Sequence, residues 1–476
     1  METEIIELLK QKKQIILQGP PGTGKTRQAK EIAKHLAKAN LDLSQINDEF
    51  VKEYIKPGQK FYTTENSEFT VSNFVKSTVN LILQTGTTYP VTVEQIQKCL
   101  IEPVQASVPR TYAKAMANYL VDQLAQKQYK LIQFHPAYSY EDFVRGISIK
   151  TENDKPVYYT ENRTLGEWAR IALDNYHRSK LAVDELSKEK WVERKLEEFV
   201  FFMQSDLDIK GPVKLTGSVS ITNLDEDAFR YKGSNWDRES RINHKDFVRV
   251  AVHNLERMRD PEFTKDLSVH AYFRKSYYNA LLNLFFDHTG PYTPSSIPRE
   301  PLRNYILIID EINRANLPSV LGELIYALEY RGEPVSSLYK LENDQTLILP
   351  PNLYIIGTMN SADRSVSHID YAIRRRFAFV EVMPSLKIIE EVIKDESLRV
   401  PALRLFQEVA DLFTSKNMAP DFKAKDVQLG HSYFLAASPD ELRRKLEYEI
   451  KPILREYVKD GILLNETEAL IEQLSV

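Results

Sequence analysis

The chain has 476 residues, 42% hydrophobic and 27% charged, with 16 glycines and a net charge of -4. It is longer than one core usually supports, and its composition excludes a disordered or fibrous chain. The net charge gives no global case for nucleic acid, so any such binding needs a local patch or a partner. The single cysteine, Cys99, excludes an intramolecular disulfide and a cysteine-rich zinc site, and within EQIQKCLIEP it reads as a small buried apolar residue.

Residues 2–13 read as a short amphipathic helix, and METEIIELLKQKK lacks the apolar core of a signal peptide. No stretch approaches the roughly 18 apolar residues that span a bilayer, so a cytoplasmic location is expected, without membrane contact. Gln14–Thr26, QIILQGPPGTGKT, then reads as a buried strand, a glycine-rich turn and a helix start. Gly19, Pro20, Pro21, Gly22, Thr23, Gly24, Lys25 and Thr26 fit G-x-x-x-x-G-K-[ST]. In that pattern backbone N–H groups wrap the phosphates of a nucleoside triphosphate, the lysine reaches the outer phosphates and the threonine ligates Mg²⁺. Ala29, Ile32, Ala33 and Leu36 follow at helical spacing, so the helix points its positive end at the anion.

A first insertion, 46–127, is expected to be mostly helical, with helical periodicity at Val71–Gln84 and Thr111–Lys127 and a capping-box spacing at Thr92 and Gln95. YKLIQF is the next strand, and it runs into HPAYSYEDF, where His135 reads as a hydrogen-bonded structural residue. A second insertion, 166–299, is expected to be α+β, its alternating stretch lying at 213–235. Arg230, Tyr231, Lys232, Trp236, Arg238 and Arg241 mix basic and aromatic groups as single-stranded nucleic-acid surfaces do, but Glu226, Asp227, Asp237 and Glu239 interrupt them. A plain structural surface is the expectation there. The proline-rich segment 289–303 reads as the linker back to the core.

YILIIDE is an apolar strand ending in Asp310 and Glu311. A strand buried on both faces belongs to a parallel sheet, whose C-terminal edge binds ligands. Asp310 would hold the Mg²⁺ shell and Glu311 would orient or deprotonate the attacking water. Val320, Leu321, Leu324, Ile325 and Leu328 then share a helical face, and Asn313, Arg314 and Asn316 could reach the nucleotide or a neighbouring subunit. LYIIGTM ends at Asn360, whose carboxamide could position water or the γ-phosphate from the side opposite Glu311. Arg374, Arg375 and Arg376 are either solvated charge or arginine fingers for an adjacent subunit. A strand FAFVEV and a largely helical tail complete the chain.

This order of motifs resembles the AAA+ ATPases, and FHPAYSYEDF, IIDEINRAN, GTMNSADRS with DYAIRRRF, and GHSYF narrow the resemblance to the McrB family. That family is the motor subunit of modification-dependent (5-methylcytosine) restriction systems. The resemblance implies an α/β fold with a five-stranded parallel sheet formed by 1–45, 128–165 and 300–383, and a helical lid over 384–476. It implies a hexameric ring that hydrolyses GTP or ATP with Mg²⁺, and a McrC-like partner that stimulates turnover and carries the nuclease, this chain having none of its own. It makes Asn313 part of the signature after the acidic pair, Asn360 the sensor, Asp363 and Arg364 part of a partner-responsive signature, and Arg375 with Arg376 the trans-acting arginines. Members usually carry an N-terminal DNA-recognition domain, whereas here the phosphate loop begins at Gly19. DNA reading is therefore expected from a partner, an insertion or a domain outside this chain. The alternatives are a MoxR-like remodelling chaperone and a nucleotide-gated scaffold with little turnover.

Overall fold

A computed structural model of the chain describes residues 2–63, 66–101, 108–152, 155–180, 183–253, 267, 271–292, 300–341, 344–362 and 369–476. Its centre is a parallel sheet of β1 (Gln14–Gly19), β2 (Tyr129–Gln133), β3 (Tyr305–Asp310), β4 (Leu353–Asn360) and β5 (Ala378–Glu381), in the spatial order β5-β1-β4-β3-β2. Helix α1 (Glu2–Lys12) leads into β1, and α2 (Lys25–Lys38) leaves it. Gly19 pairs with Asn360 across β1 and β4, and Asp310 with Gln133 across β3 and β2, so the strands end together on one edge.

The inner strands β1, β4 and β3 are largely apolar because both faces are covered, whereas the edge strands β2 and β5 are partly exposed. Ile15, Leu17, Ile306 and Ile308 pack against Ile32, Ala33 and Leu36 of α2, while Ile16, Leu307 and Ile309 pack against Phe134, Phe143 and Leu165 on the other side. The helix Thr164–Lys180 belongs to that second layer, with Leu165, Ala169 and Ala172 in the same core, so the sheet domain extends past residue 166. The helix after the acidic pair is two short pieces, Leu317–Leu321 and Leu324–Glu329, interrupted at Gly322, over which the Tyr140 ring packs.

The first insertion combines helices Asp48–Tyr54, Val93–Ile101 and Val108–Gln126 with a four-stranded antiparallel sheet. The Thr92–Gln95 capping box forms, with reciprocal bonds of 2.8 and 3.1 Å. The expected helix at Val71–Gln84 is instead a hairpin of Glu68–Val75 and Thr78–Leu83. Its apolar residues fit either period, but Phe69, Val71, Val79 and Leu81 are buried in alternation against Tyr112 and Leu120, and β-branched Val71, Val75, Thr78 and Val79 favour the pleat. Lys76, at φ 53°, makes the turn.

The second insertion is α+β as expected. A four-stranded antiparallel sheet spans 213–243 and packs its own core, including Phe199, Phe229, Tyr231 and Phe285, against the helix Val183–Lys210 and its neighbours. Much of the expected linker, 293–299, lies outside the described residues. The tail is helical, with a separate core around Leu405, Phe406, Phe434 and Leu454. Among the described residues no helix is long and apolar enough to cross a membrane.

Candidate nucleotide site

The sheet's C-terminal edge assembles residues far apart in sequence. Gly22 and Gly24 hold φ values of 77° and 75°, in the left-handed region that an L side chain resists, and this lets the loop curl back before α2 begins at Lys25. Lys25 is 7% exposed, and its Nζ donates to Gly19 O at 3.0 Å and Pro20 O at 2.8 Å. Burial pushes its pKa down to about 8, against the pull of Glu311 and Asp310, which favour the ammonium.

Thr26 Oγ1 donates to Asp310 Oδ1 at 2.7 Å, and Thr358 Oγ1 donates to the same oxygen at 2.5 Å. Next to this, Glu311 sits at φ 53°, an unusual conformation for a residue with a side chain. It is held there from three sides. Thr358 Oγ1 accepts from Glu311 N at 3.2 Å, Asn360 Nδ2 donates to Glu311 Oε1 at 2.6 Å, and Arg314 Nε lies 3.3 Å from Oε2. Thr358 is a site residue that motif reading missed. The available signal was alternation, because Thr358 and Asn360 point to the same face at the end of β4.

A cavity of about 370 Å³ opens beside Glu311, lined also by Gln133, Phe134, His135, Pro136 and Arg314. His135 is exposed at its lip, its ring edge-on to Tyr138. Asn313 is buried, and its Oδ1 has no hydrogen-bond partner among the described residues. Among the described residues no group of three or more His, Cys, Asp or Glu could hold a metal by itself. The donor set of Thr26 and Asp310 nevertheless suits Mg²⁺, which typically takes one or two protein oxygens and fills its shell with phosphates and water.

The three arginines separate. Arg376 Nη2 lies 3.2 Å from a Glu329 carboxylate oxygen and Nη1 donates to Ala372 O, leaving the side chain 10% exposed. Arg374 stacks over Phe379, and Arg375 is exposed. Asp370 caps the short helix Tyr371–Arg374, which carries Arg374 and ends at Arg375. Asp363 and Arg364 lie outside the described residues.

The lid reaches this edge directly. Gly430 N donates to Pro21 O and Ser432 N to Gly22 O, each at 2.9 Å, and Ser361 Oγ after β4 donates to Asp426 O at 2.7 Å. The segment GHSYF thus lies against the phosphate loop, a role that its sequence alone did not disclose.

Comparison with known proteins agrees with this layout. An AAA domain of the dynein-related subfamily matches residues 273–377, and the alpha-helical lid domain of McrB matches 415–462. The chain fits the McrB family. The phosphate-loop region, 14–91, also matches the chromatin associated protein KTI12. Over 175 residues this McrB-type chain is 35% identical to the type IV methyl-directed restriction enzyme EcoKMcrB subunit of Escherichia coli K12, covering 34% of this chain and 38% of that one. Over 89 residues it is 40% identical to the type II restriction enzyme BsuMI component YdiS of Bacillus subtilis 168, covering 16% and 26%. It therefore spans well under half the length of these curated relatives. The AAA domain makes this McrB-type chain a P-loop NTPase.

Proposed function

We propose that this chain is the nucleotide-hydrolysing subunit of a McrB-like restriction system, using GTP or ATP in a ring, hexameric by the family's precedent, with a McrC-like nuclease partner. The observation that carries the reading is the clustering of Lys25, Thr26, Asp310, Glu311 and Asn360 at one sheet edge under a McrB-type lid. Phosphate oxygens would replace the Gly19 and Pro20 carbonyls around the Lys25 ammonium, and the loop N–H groups would take the remaining phosphate charge. Thr26 Oγ1 and Asp310 Oδ1 would hold Mg²⁺, which supplies positive charge to the phosphates. The Glu311 carboxylate, fixed by Asn360, orients the attacking water and accepts its proton.

Trans-acting charge is best supplied by Arg375. Arg376 is bound to Glu329 and serves to set the helix turn that presents its neighbour. Asn313, whose carboxamide oxygen is unpartnered among the described residues, would reach the nucleotide or the next subunit. DNA contact is assigned to a partner, an insertion or a domain outside this chain; on the basic-aromatic surface of the second insertion Arg230 pairs with Asp225 and Arg241 with Asp225 and Asp227, which offsets two of its four basic side chains. The experiment mixes two variants that are inactive alone, Arg375→Ala and Glu311→Gln. Turnover should reappear in mixed rings, where an Arg375→Ala site keeps its Glu311 and receives the arginine of a Glu311→Gln neighbour, whereas a mixture as inactive as its parts would remove Arg375 from a trans role.

A further inference from the structure

The two insertions repeat one another. Each lays down a four-stranded antiparallel meander, then a helix that follows its last strand (Val93–Ile101 and His244–His253), then a longer helix against its core (Val108–Gln126 and Lys275–Thr289). In the first insertion the central hairpin pairs Phe69 with Leu83, Thr70 with Ile82, Val71 with Leu81, Asn73 with Asn80 and Phe74 with Val79. Adding 150 to each number (69 to 219, 83 to 233) gives the second hairpin, which pairs Val219 with Gly233, Ser220 with Lys232, Ile221 with Tyr231, Asn223 with Arg230 and Leu224 with Phe229. Both ladders slip at the same place, where Ser72 and Thr222 are the extra residues of a bulge. Val79 pairs onward with Val91 and Phe229 with Ile242, and the next helix opens on the same backbone bond, Val93 N to Ser77 O at 2.9 Å and His244 N to Asp227 O at 2.7 Å.

Helices on one face are a common way to cover a sheet and carry no ancestry by themselves. The sequences, however, agree in the same frame. TVSNF at 70–74 stands where the second insertion has SITNL at 220–224: a hydroxyl, an aliphatic, a hydroxyl, an asparagine and a large apolar residue in each. RTYAKAMANYLVD at 110–122 stands where it has KSYYNALLNLFFD at 275–287, with tyrosine, alanine, asparagine and aspartate kept at the same places. Ala113, Met116, Ala117 and Leu120 face the first core as Tyr278, Leu281, Leu282 and Phe285 face the second. Packing dictates such apolar places, but it does not dictate exposed ones. Lys60, Asn73 and Asn118 are exposed, and so are Lys214, Asn223 and Asn283 at the matching positions.

We infer that the two insertions are copies of one module, duplicated within this chain and set into the sheet domain at two points, after α2 and after the helix Thr164–Lys180. The copies have diverged in charge and not in frame. Arg230 and Arg241 occupy the places of Asn80 and Pro90, so the ion-paired surface of the second insertion is an addition to a module that folds without it in the first. Each chain therefore presents one scaffold with two different outer faces.

Amide exchange on the unmodified full chain is the first measurement. Protection over 69–93 should repeat over 219–244, with Val93 and His244 both slow because their N–H groups are bonded back to the preceding hairpin. Grafting then tests the frame. Residues 219–233 replace 69–83 in frame, or are displaced by one residue as 218–232, and the reverse grafts go into the second insertion. In-frame grafts should keep their protected amides, whereas displaced grafts, which turn the apolar set to solvent, should lose protection by about tenfold or more. Should a whole hairpin crowd the recipient core, the exchange of TVSNF for SITNL (Thr70→Ser, Val71→Ile, Ser72→Thr and Phe74→Leu) decides, and should leave protection within about threefold of wild type. Unlike protection in the two hairpins, or in-frame grafts and the short exchange faring no better than displaced grafts, overturns the duplication.

Discussion

Glu311 occupies the left-handed region at φ 53°, a strain of about 1 kcal/mol or more that persists only when neighbours over-determine it. Asn360, Arg314 and Thr358 provide that constraint and aim the carboxylate across the edge of the sheet. Glu311→Gln keeps the shape and removes the base, so hydrolysis should fall by about 10²-fold or more while nucleotide affinity stays within a few-fold. Asn360→Ala leaves Glu311 Oε1 without its 2.6 Å donor, and turnover should fall at unchanged nucleotide affinity. Phosphate release and equilibrium binding separate the two effects in each variant.

Lys25 makes a prediction of the opposite kind, about protons. Its folded-state pKa of about 8 lies below the ordinary 10.5, so between those values the folded chain holds fewer protons than the unfolded one, and stability without nucleotide gains from this residue as pH rises. Bound phosphates pull that pKa back up, so nucleotide binding at about pH 9 should take up a proton. Calorimetry in buffers of differing ionisation heat reads this directly. Proton uptake should vanish in Lys25→Ala, and uptake of the same size there would assign it elsewhere.

At the scale of elements, a largely buried polar strut ties the starts of β1 and β4 together. Gln14 at the start of β1 donates to Leu328 O and Arg376 O, and accepts from Arg331 Nη2, whose Nη1 donates to Leu353 O at the start of β4. Burial pushes the Arg331 guanidinium pKa down to about 9. Gln14→Ala strands several of these partners at once and should cost about 2–3 kcal/mol in chemical denaturation. A change below about 0.5 kcal/mol, the scale of ordinary surface substitutions, would mean that water replaces the amide.

The same elements show what a sequence makes legible. β1, β3 and β4 were readable because each is an apolar run ending in chemistry: a phosphate loop, a carboxylate pair and a carboxamide. The hairpin at 68–83 was not, because its apolar residues satisfy a period of two and of nearly four, and only packing against Tyr112 and Leu120 selects between them. Arg376 shows a similar limit. Three adjacent arginines look equivalent in sequence, and it takes Glu329, 47 positions away, to separate a structural one from an exposed one.

For the whole molecule, 284 positions separate Thr26 from the Asp310 it touches, and both insertions fit between them without disturbing the edge. Each insertion packs a core of its own and leaves the nucleotide site to the sheet and the lid. The lid's contact with Pro21 and Gly22 was legible only as a family string, since no local pattern says which distant loop a Gly-His-Ser-Tyr-Phe segment will meet. The proposed function makes this chain a McrB-type NTPase that answers to a partner. It is tested most directly by phosphate release from the purified chain with GTP and with ATP, alone and with a McrC-like nuclease. Turnover that Glu311→Gln abolishes and the partner raises is the predicted result; turnover indifferent to both would contradict the account.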